Sequence, residues 1–443
     1  MSLPNYPKYK ETGVEWLGGI PEHWDICKFR HMFTESSEKI EQEVVGVMLS
    51  VSGYRGIEVK EYDDENLRRL DDELIGYRIV RPGQLVVNTM WLNYAGLGVS
   101  EYEGHVSPAY RSYSIAQGFH KRYVHHMMRC DSFVRGYTKY LTGIRPNSLQ
   151  MSRDDLMAFQ LLRPPFSEQA AIATFLDRET GKIDALIAEQ EKLLSLLAEK
   201  RQATISHAVT RGLNPDAPMK DSGVAWLGKI PAHWRTCPLK LLSRIGNGST
   251  PNRDNPSYWT SDGFPWLNSS VVNQDEVTEA KQFVSQLALE ECHLPIVQPP
   301  AVLVGITGQG KTRGMATRLA FTATLNQHLA YIKPNEKQLF ETYLLRVLEA
   351  AYSHLRTESD GAGSTKGAIT CDQLGRLRIP VPDLGEQHTI AMFLDDESCK
   401  LDALKAEAER AIELLKERRS ALISAAVTGK IDVRNAVPEE LAA

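Results

Sequence analysis

Residues 167–211, SEQAAIATFLDRETGKIDALIAEQEKLLSLLAEKRQATISHAVTR, decide the organisation of the chain, because they return as residues 385–429, GEQHTIAMFLDDESCKLDALKAEAERAIELLKERRSALISAAVTG. Glu168-Gln169, Ile172-Ala173, Phe175-Leu176-Asp177, Asp184-Ala185-Leu186, Arg201, Ile205 and Ala208-Val209-Thr210 recur 218 positions later, without a gap. Their counterparts are Glu386-Gln387, Ile390-Ala391, Phe393-Leu394-Asp395, Asp402-Ala403-Leu404, Arg419, Ile423 and Ala426-Val427-Thr428. Matches this dense identify a duplicated unit.

Apolar residues fall at helical spacing in both copies: Ile183, Leu186, Ile187, Leu193, Leu194, Leu197 and Ile205, then Leu401, Leu404, Ile412, Leu415, Leu422 and Ile423. Each copy is therefore expected to form an amphipathic helix with one buried seam. The run Asp177 to Gly181 lacks apolar residues and contains a helix-disfavouring glycine, which predicts a short helix, a break, and a long helix from about 181 to about 209. At 1.5 Å per residue that helix would be roughly 43 Å long. A lone amphipathic helix is marginal in water, so the two copies are expected to pair with each other as an antiparallel coiled coil. The simpler alternative is two ordinary core helices in separate domains.

The leader is duplicated too. Residues 11–24, ETGVEWLGGIPEHW, return as residues 221–234, DSGVAWLGKIPAHW, with Cys27 and Cys237 three residues further on. The whole chain thus reads as leader, variable region, helix, repeated once. His23 and His233 sit between Pro and Trp with no second ligand nearby, so packing explains them better than metal binding. The variable regions, about 25–165 and 235–382, have diverged, but each carries strand-like runs such as Gln84 to Val87 and Ala301 to Val304 that lead into Gly-containing loops. Val, Ile, Thr and Tyr alternating with turn residues predict mixed α and β structure.

Charge within those regions is uneven. From Val106 to Arg153 eight Arg or Lys face one acid, Asp131, with seven aromatics interleaved; from Val302 to Asn335 there is no acid at all. Such windows suit phosphate contacts, and Arg, Asn and Gln suit base edges. A solvated basic face without a partner would give the same composition.

A chain of 443 residues with 42% hydrophobic and 24% charged content suits a soluble protein of two or three domains. No apolar run is long enough to span a bilayer, and MSLPNYPKYK has no signal-like core, so the cytoplasm is the expected location. Six cysteines without a Cys-x-x-Cys pair argue against a disulfide framework and against zinc. A net charge of −5 does not suit a free-standing nucleic-acid binder, so any such role rests on local patches or a larger assembly.

Three short motifs invite catalytic interpretations. Gly305 to Thr312, GITGQGKT, fits the Gly-x4-Gly-Lys-Thr phosphate loop and follows a strand-like run. The sequence after it has no helical seam to direct a helix N-terminus at phosphates, so a DNA-contacting loop is the better expectation. Arg163-Pro164-Pro165-Phe166 is similar to an amino-methyltransferase element, but arginine cannot accept a hydrogen bond from an amine. Glu58-Val59-Lys60 lacks the preceding acid of a nuclease site.

Gly-Val-x-Trp-Leu-Gly-x-Ile-Pro-x-His-Trp before each variable region, with Pro-x-x-x-Glu-Gln-x-x-Ile-Ala-x-Phe-Leu-Asp, Ile/Leu-Asp-Ala-Leu and Ala-Val-Thr after it, closely resembles the specificity subunits of type I restriction-modification systems. The resemblance covers essentially the whole chain. Gly246 to Pro251, Tyr258-Trp259 and Gly263 to Trp266 also look like that family's recognition domains; the first variable region departs from the pattern. The resemblance implies an α+β fold with two tandem α/β target-recognition domains, separated by two long conserved helices paired as an antiparallel coiled coil with pseudo-twofold symmetry. The expected divisions are a leader (1–24), recognition domain 1 (25–165), a helical spacer (166–212), a second leader (213–234), recognition domain 2 (235–383), a second spacer (384–430) and a tail (431–443).

A chain of this kind would be non-catalytic, read a bipartite sequence in double-stranded DNA, and scaffold two methylation and two restriction subunits. Its partners would bring S-adenosylmethionine, and ATP with Mg2+, respectively; this chain would hold no cofactor or metal. The candidate DNA-contacting residues are Lys311, Thr312, Arg313, Arg318, Asn326, Gln327 and Lys366, with Tyr137, Lys139, Arg145, Asn147 and Ser148 in the first region. Leu186, Leu193, Leu197, Leu404, Leu415 and Leu422 are the candidate spacer and subunit-docking positions. Half-sites one turn apart are separated by about 34–36 Å, comparable to the 43 Å expected for the helix. The competing functions are nucleotide binding at Gly305 to Thr312 and a coiled-coil scaffold without sequence preference.

Overall fold

The structure is a computed structural model that describes residues 3–62, 70–143, 149–308, 310–360 and 367–436. Two compact units divide the chain, residues 1–191 with 409–443 and residues 192–408.

In the first unit the chain enters the variable region on strand Asp25–Lys28 and leaves on Gln160–Arg163, and these two strands pair antiparallel. They form a stem, pinned at its open end by an Arg163–Asp25 ion pair of 2.8 Å. Between them lie two four-stranded sheets, one ordered 56–59, 47–52, 104–106, 78–80 and the other 33–35, 110–115, 85–88, 97–99. Helix α1, Lys121–Arg129, follows the second sheet and buries Tyr123, Val124 and Met127. Helix α2, Phe166–Arg211, starts directly after the stem, and its part through Glu191 belongs to this unit.

The second unit repeats the plan. Strands Arg235–Pro238 and Arg378–Val381 make the stem. A five-stranded sheet is ordered 243–247, 329–334, 302–305, 316–319, 276–277, and a four-stranded sheet 259–260, 282–284, 264–267, 324–325. Helix α3, Glu341–Ala350, precedes helix α4, Leu384–Val427.

The duplicated residues are spent on holding this frame. Buried Glu168 accepts from the Trp24 indole N–H at 3.1 Å and the Tyr6 hydroxyl, and meets His23 Nε2 at 2.9 Å. In the second unit Glu386 takes the Trp234 indole at 2.8 Å and His233 at 2.9 Å. The paired Gln is fully buried in both copies. Gln169 accepts from the His120 backbone N–H at the start of α1 and donates to the carbonyl of Pro164. Gln387 does the same for Phe340 at the start of α3 and for Pro382. Each Glu-Gln therefore ties leader, variable region and long helix together, and both leader histidines serve that tie.

Within each unit the two long helices run antiparallel. In the first, Asp184 meets Arg419 and Glu168 meets Arg434; in the second, Arg201 bonds Asp402 at 2.6 Å and Gly212 lies beside Glu386. The two Arg–Asp pairs are copies of each other across the 218-residue repeat.

Two expectations require correction. No break occurs at Asp177 to Gly181: α2 is one helix of 46 residues and α4 one of 44, about 69 and 66 Å at 1.5 Å per residue. Gly181 costs about 1 kcal/mol relative to alanine. Helical contacts around it offset that: Thr180 bonds the Leu176 carbonyl at 2.7 Å, and Asp177 accepts from Arg122 and His126, each at 2.8 Å. The match between a 43 Å helix and the spacing of half-sites falls with the break. The seam also differs from the expected set. Ile183, Ile187, Leu197, Ile205, Leu401, Ile412 and Ile423 are buried, whereas Leu186, Leu193 and Leu404 are exposed and Leu194, Leu415 and Leu422 half-buried. These buried positions are 4, 10 and 8 residues apart in the first helix and 11 and 11 in the second, all sums of three- and four-residue steps, and that narrow stripe leaves the leucines beside it in solvent.

Candidate nucleic-acid interface

In the second unit strand Val302–Gly305 delivers the chain into the loop carrying Lys311, and strand Ala316–Leu319 takes it back to the same sheet. A strand, not a helix, follows the loop, so no helix N-terminus faces it. Its glycines serve the turn: Gly308 has φ of +114°, and a Cβ on Gly305 would lie 2.4 Å from the Thr312 carbonyl. The loop's carbonyls are held from behind by helix Tyr352–Asp360. The Tyr352 hydroxyl donates to Lys311 O at 2.8 Å and the Arg356 guanidinium to Gly310 O at 2.7 Å. That bracing leaves Lys311 exposed and Thr312 half-buried.

Several expected contact residues do other work. Arg313 is only 3% exposed and bonds Asp360 at 2.6 Å, so it locks the loop to the following helix and is unavailable to a phosphate. Arg318 is committed to Glu276 through two bonds, at 2.8 and 3.1 Å. Asn326 is buried and accepts the His328 backbone N–H at 3.0 Å, shaping a turn. Tyr137 lies wholly in the core with its hydroxyl on Met128 O at 3.1 Å; the aromatic interleaving of the first basic window is partly core packing. Lys139 is exposed and paired with Glu15 at 2.6 Å. Arg145, Asn147, Ser148 and Lys366 lie outside the described residues.

The fold brings together polar groups that are far apart in sequence. Exposed Gln327, on the turn shaped by Asn326, accepts from the Thr250 hydroxyl and contacts His328 Nε2 at 3.3 Å. His328 Nδ1 meets the Thr307 hydroxyl at 2.6 Å. Thr250 belongs to Gly246–Pro251, whose path is forced against the neighbouring strand: a Cβ on Gly248 would lie 1.6 Å from Leu325 O, and Ser249 N–H donates to that carbonyl at 3.0 Å. The Trp266 indole secures Ser249 O and the Trp259 indole Asn252 O, each at 3.1 Å. Arg253 lies over both rings, 4.4 Å from the Trp259 centroid and 5.0 Å from that of Trp266, beside an open groove of about 450 Å³ also lined by Lys281 and Gln282.

Donors and acceptors at Thr250, Gln327 and His328, flanked by exposed Lys311, Arg253 and Lys281, match what base edges and phosphates present to a reader. Thr250, Thr307 and His328 were not among the expected residues. Their partners lie 21 and 77 positions away in sequence, and only the strand pairing unites them. Among the described residues no group of three or more His, Cys, Asp or Glu could hold a metal ion, and no helix is long and apolar enough to cross a membrane.

The model of the type I restriction modification DNA specificity domain matches residues 231–414. The chain is 24% identical over 209 residues to the StySPI specificity subunit of Salmonella potsdam and 23% identical over 209 residues to the EcoKI specificity subunit of Escherichia coli K12. In both cases the match covers 46% of this chain and 44% of the relative, so the chain spans less than half the length of these relatives. A putative MjaX specificity subunit of Methanocaldococcus jannaschii is 24% identical over 298 residues, 67% of this chain and 65% of that protein. Among solved structures, a chain from a study of assembly and conformational transition of the type I R-M system gives a TM-score of 0.64 at 17% identity, covering 92% of this chain and 98% of that one. The HsdS subunit from Thermoanaerobacter tengcongensis gives 0.50 at 16%, covering 95% and 100%; these likenesses concern the fold. The doubled frame and the two inserted variable regions thus stand beside a match of residues 231–414 to the type I restriction modification DNA specificity domain and a likeness, over part of the chain, to type I specificity subunits.

Proposed function

We propose that this chain is the non-catalytic DNA-specificity subunit of a type I restriction-modification complex, in which each variable region reads one half of a split sequence in double-stranded DNA. One observation carries the proposal: the duplicated residues are consumed in holding the frame, as at Glu168, Gln169, Glu386 and Gln387, while the inserts they hold have diverged. An unvarying frame around two unlike inserts suits a reader of two unlike half-sites.

In the second region the reading surface comprises Thr250, Gln327, His328 and Lys311, with Thr312 at its edge; in the first, Lys139 marks the basic face. The recognition domains correspond to residues 25–165 and 235–383. Two methylation subunits supply S-adenosylmethionine and two restriction subunits supply ATP and Mg2+. Exposed leucines on the long helices, Leu186 in the first unit and Leu193 and Leu404 in the second, support docking of those subunits on the helices. The assembly works in the cytoplasm, where the DNA is. The loop at Gly305 to Thr312 does not favour nucleotide binding, since its carbonyls are braced and a strand follows it.

The test is selection of bound duplexes from a random pool by the assembled complex. Enrichment of two short motifs at a fixed separation is expected. A pool that stays random after repeated selection would refute sequence reading.

A further inference from the structure

The duplication supplies an internal comparison of the two variable regions. In the first unit strands 33–35, 110–115, 85–88 and 97–99 pair in the same order as 243–247, 329–334, 302–305 and 316–319 in the second. The registers match as well: Glu35 pairs with Tyr113 and Ile245 with Ile332, Tyr110 with Asn88 and Leu329 with Gly305. The turn before the longest of these strands is built alike in both. Asn326 O accepts the Leu329 N–H at 3.3 Å and Ser107 O the Tyr110 N–H at 2.9 Å. The Asn326 side chain also accepts the His328 N–H at 3.0 Å, and that of Ser107 the Ala109 N–H at 3.5 Å.

On this alignment Thr250, Thr307, Gln327 and His328 of the second unit fall at Ile40, Met90, Pro108 and Ala109 of the first. All four polar side chains are replaced by apolar ones, and the same turn forms without them. The fold therefore does not require the polar chain that links these four residues.

The bonds in that chain leave one arrangement of donors and acceptors. Thr250 Oγ1 lies 2.5 Å from Gln327 Oε1, a separation within the O–H···O range and below that of N–H···O, so the amide oxygen faces Thr250. Nε2 of Gln327, a donor only, gives a proton to His328 Nε2 at 3.3 Å. The neutral imidazole then carries its own proton on Nδ1 and donates it to the Thr307 hydroxyl at 2.6 Å. Thr307 stands at the start of the loop braced by Tyr352 and Arg356. The chain thus holds the amide of an exposed side chain in one orientation.

An amide group has two acceptor lone pairs and two N–H protons. Thr250 uses one lone pair and His328 one proton, and the Gln327 side chain makes no other bond among the described residues. One acceptor and one donor remain. In the major groove only adenine sets a donor and an acceptor side by side, N6–H and N7, and a glutamine amide meets both at once.

We propose that Gln327 reads an A·T pair in the half-site of the second region, with Thr250, His328 and Thr307 as positioning residues that fix its amide. This assignment rests on the DNA-reading function proposed above. The first region, with Ile40, Met90, Pro108 and Ala109 at the same places, offers no such amide there.

Selection of duplexes from a random pool by the assembled complex, unaltered and with Gln327→Ala, tests this. The unaltered complex should enrich a split motif. Gln327→Ala should relax one position of it, an A·T pair, at least about fivefold, and leave the other half unchanged. Thr250→Val and His328→Leu should relax the same position. Replacing that adenine by 7-deazaadenine, which lacks the N7 acceptor, should weaken binding of the unaltered complex at least about fivefold and of the Gln327→Ala complex less than about twofold. A pool left random by the unaltered complex would sink DNA reading and this assignment together. A split motif in which Gln327→Ala relaxes a G·C pair or no position, or equal losses from 7-deazaadenine in both complexes, would overturn the assignment alone.

Discussion

Replacing Gln169 by leucine removes a side chain that is 0% exposed and serves three backbone groups at once. Its Oε1 accepts the His120 N–H at 2.9 Å, and its Nε2 donates to Pro164 O at 2.8 Å and Gly118 O at 3.4 Å. A buried polar group left without a partner costs about 1–3 kcal/mol. Counting only the His120 N–H and the Pro164 carbonyl, Gln169→Leu should destabilise by about 2–6 kcal/mol, a large part of the 5–15 kcal/mol typical of a folded domain. Gln387 serves Phe340 N–H, Pro382 O and Gln338 O in the same way, so Gln387→Leu should cost a similar amount.

Gln169→Glu separates hydrogen bonding from packing. The introduced carboxylate still accepts from His120, but it loses both donor bonds and turns an anionic oxygen toward a carbonyl. Burial and that repulsion raise its pKa in the folded state. A raised acid pKa gives stability that is present below the unfolded value and lost as pH rises through the folded one. This variant should therefore be at least as unstable as the leucine variant at neutral pH and recover as pH falls toward the ordinary carboxylate range, where one O–H donor returns. Urea unfolding of the full chain followed by tryptophan fluorescence reads both effects. Losses under 1 kcal/mol for both leucine variants, or no recovery in acid, would refute the latch.

Three further outcomes follow from the geometry. Double-mutant cycles on Arg419–Asp184 and Arg201–Asp402, whose arginines are 19% and 27% exposed, should give coupling of about 1 kcal/mol or less each, as part-exposed ion pairs do, and similar values for the two pairs. Gly248→Ala places a Cβ 1.6 Å from Leu325 O and should displace Thr250 from Gln327, weakening DNA binding of the assembled complex at least tenfold. Burial pushes the Asp177 carboxyl up, but hydrogen bonds from His126 and Arg122 outweigh it and hold the group well below the usual carboxylate range; its contribution is full above the unfolded carboxylate pKa near 3.9 and is lost as pH falls below it, so Asp177→Asn should flatten the acid limb of the stability profile.

What the sequence conveyed follows from what repetition and periodicity can carry. The duplication is visible because Glu168, Gln169 and Trp24 make the same bonds as Glu386, Gln387 and Trp234, and a repeated bond keeps its residue type. Helix continuity was not visible, since the local preference at Gly181 is overridden by Arg122 and His126, which reach Asp177 from 51 to 55 positions away. Composition could not separate Lys311, exposed, from Arg313, buried on Asp360, because an ion partner 47 positions off leaves no mark in a charge count. Tyr137 was misassigned for the same reason: a helical aromatic between basic residues can face either solvent or core. The Thr250, Gln327 and His328 group depends on strand pairing, and no linear motif encodes it.

The central claim is that each variable region reads its own half-site independently. It is tested most directly by replacing residues 235–383 with the corresponding region of another family member and selecting DNA with the assembled complex. Independent reading predicts that one half of the recognised sequence changes while the other half and the separation stay the same; a change in both halves, or in neither, would contradict it.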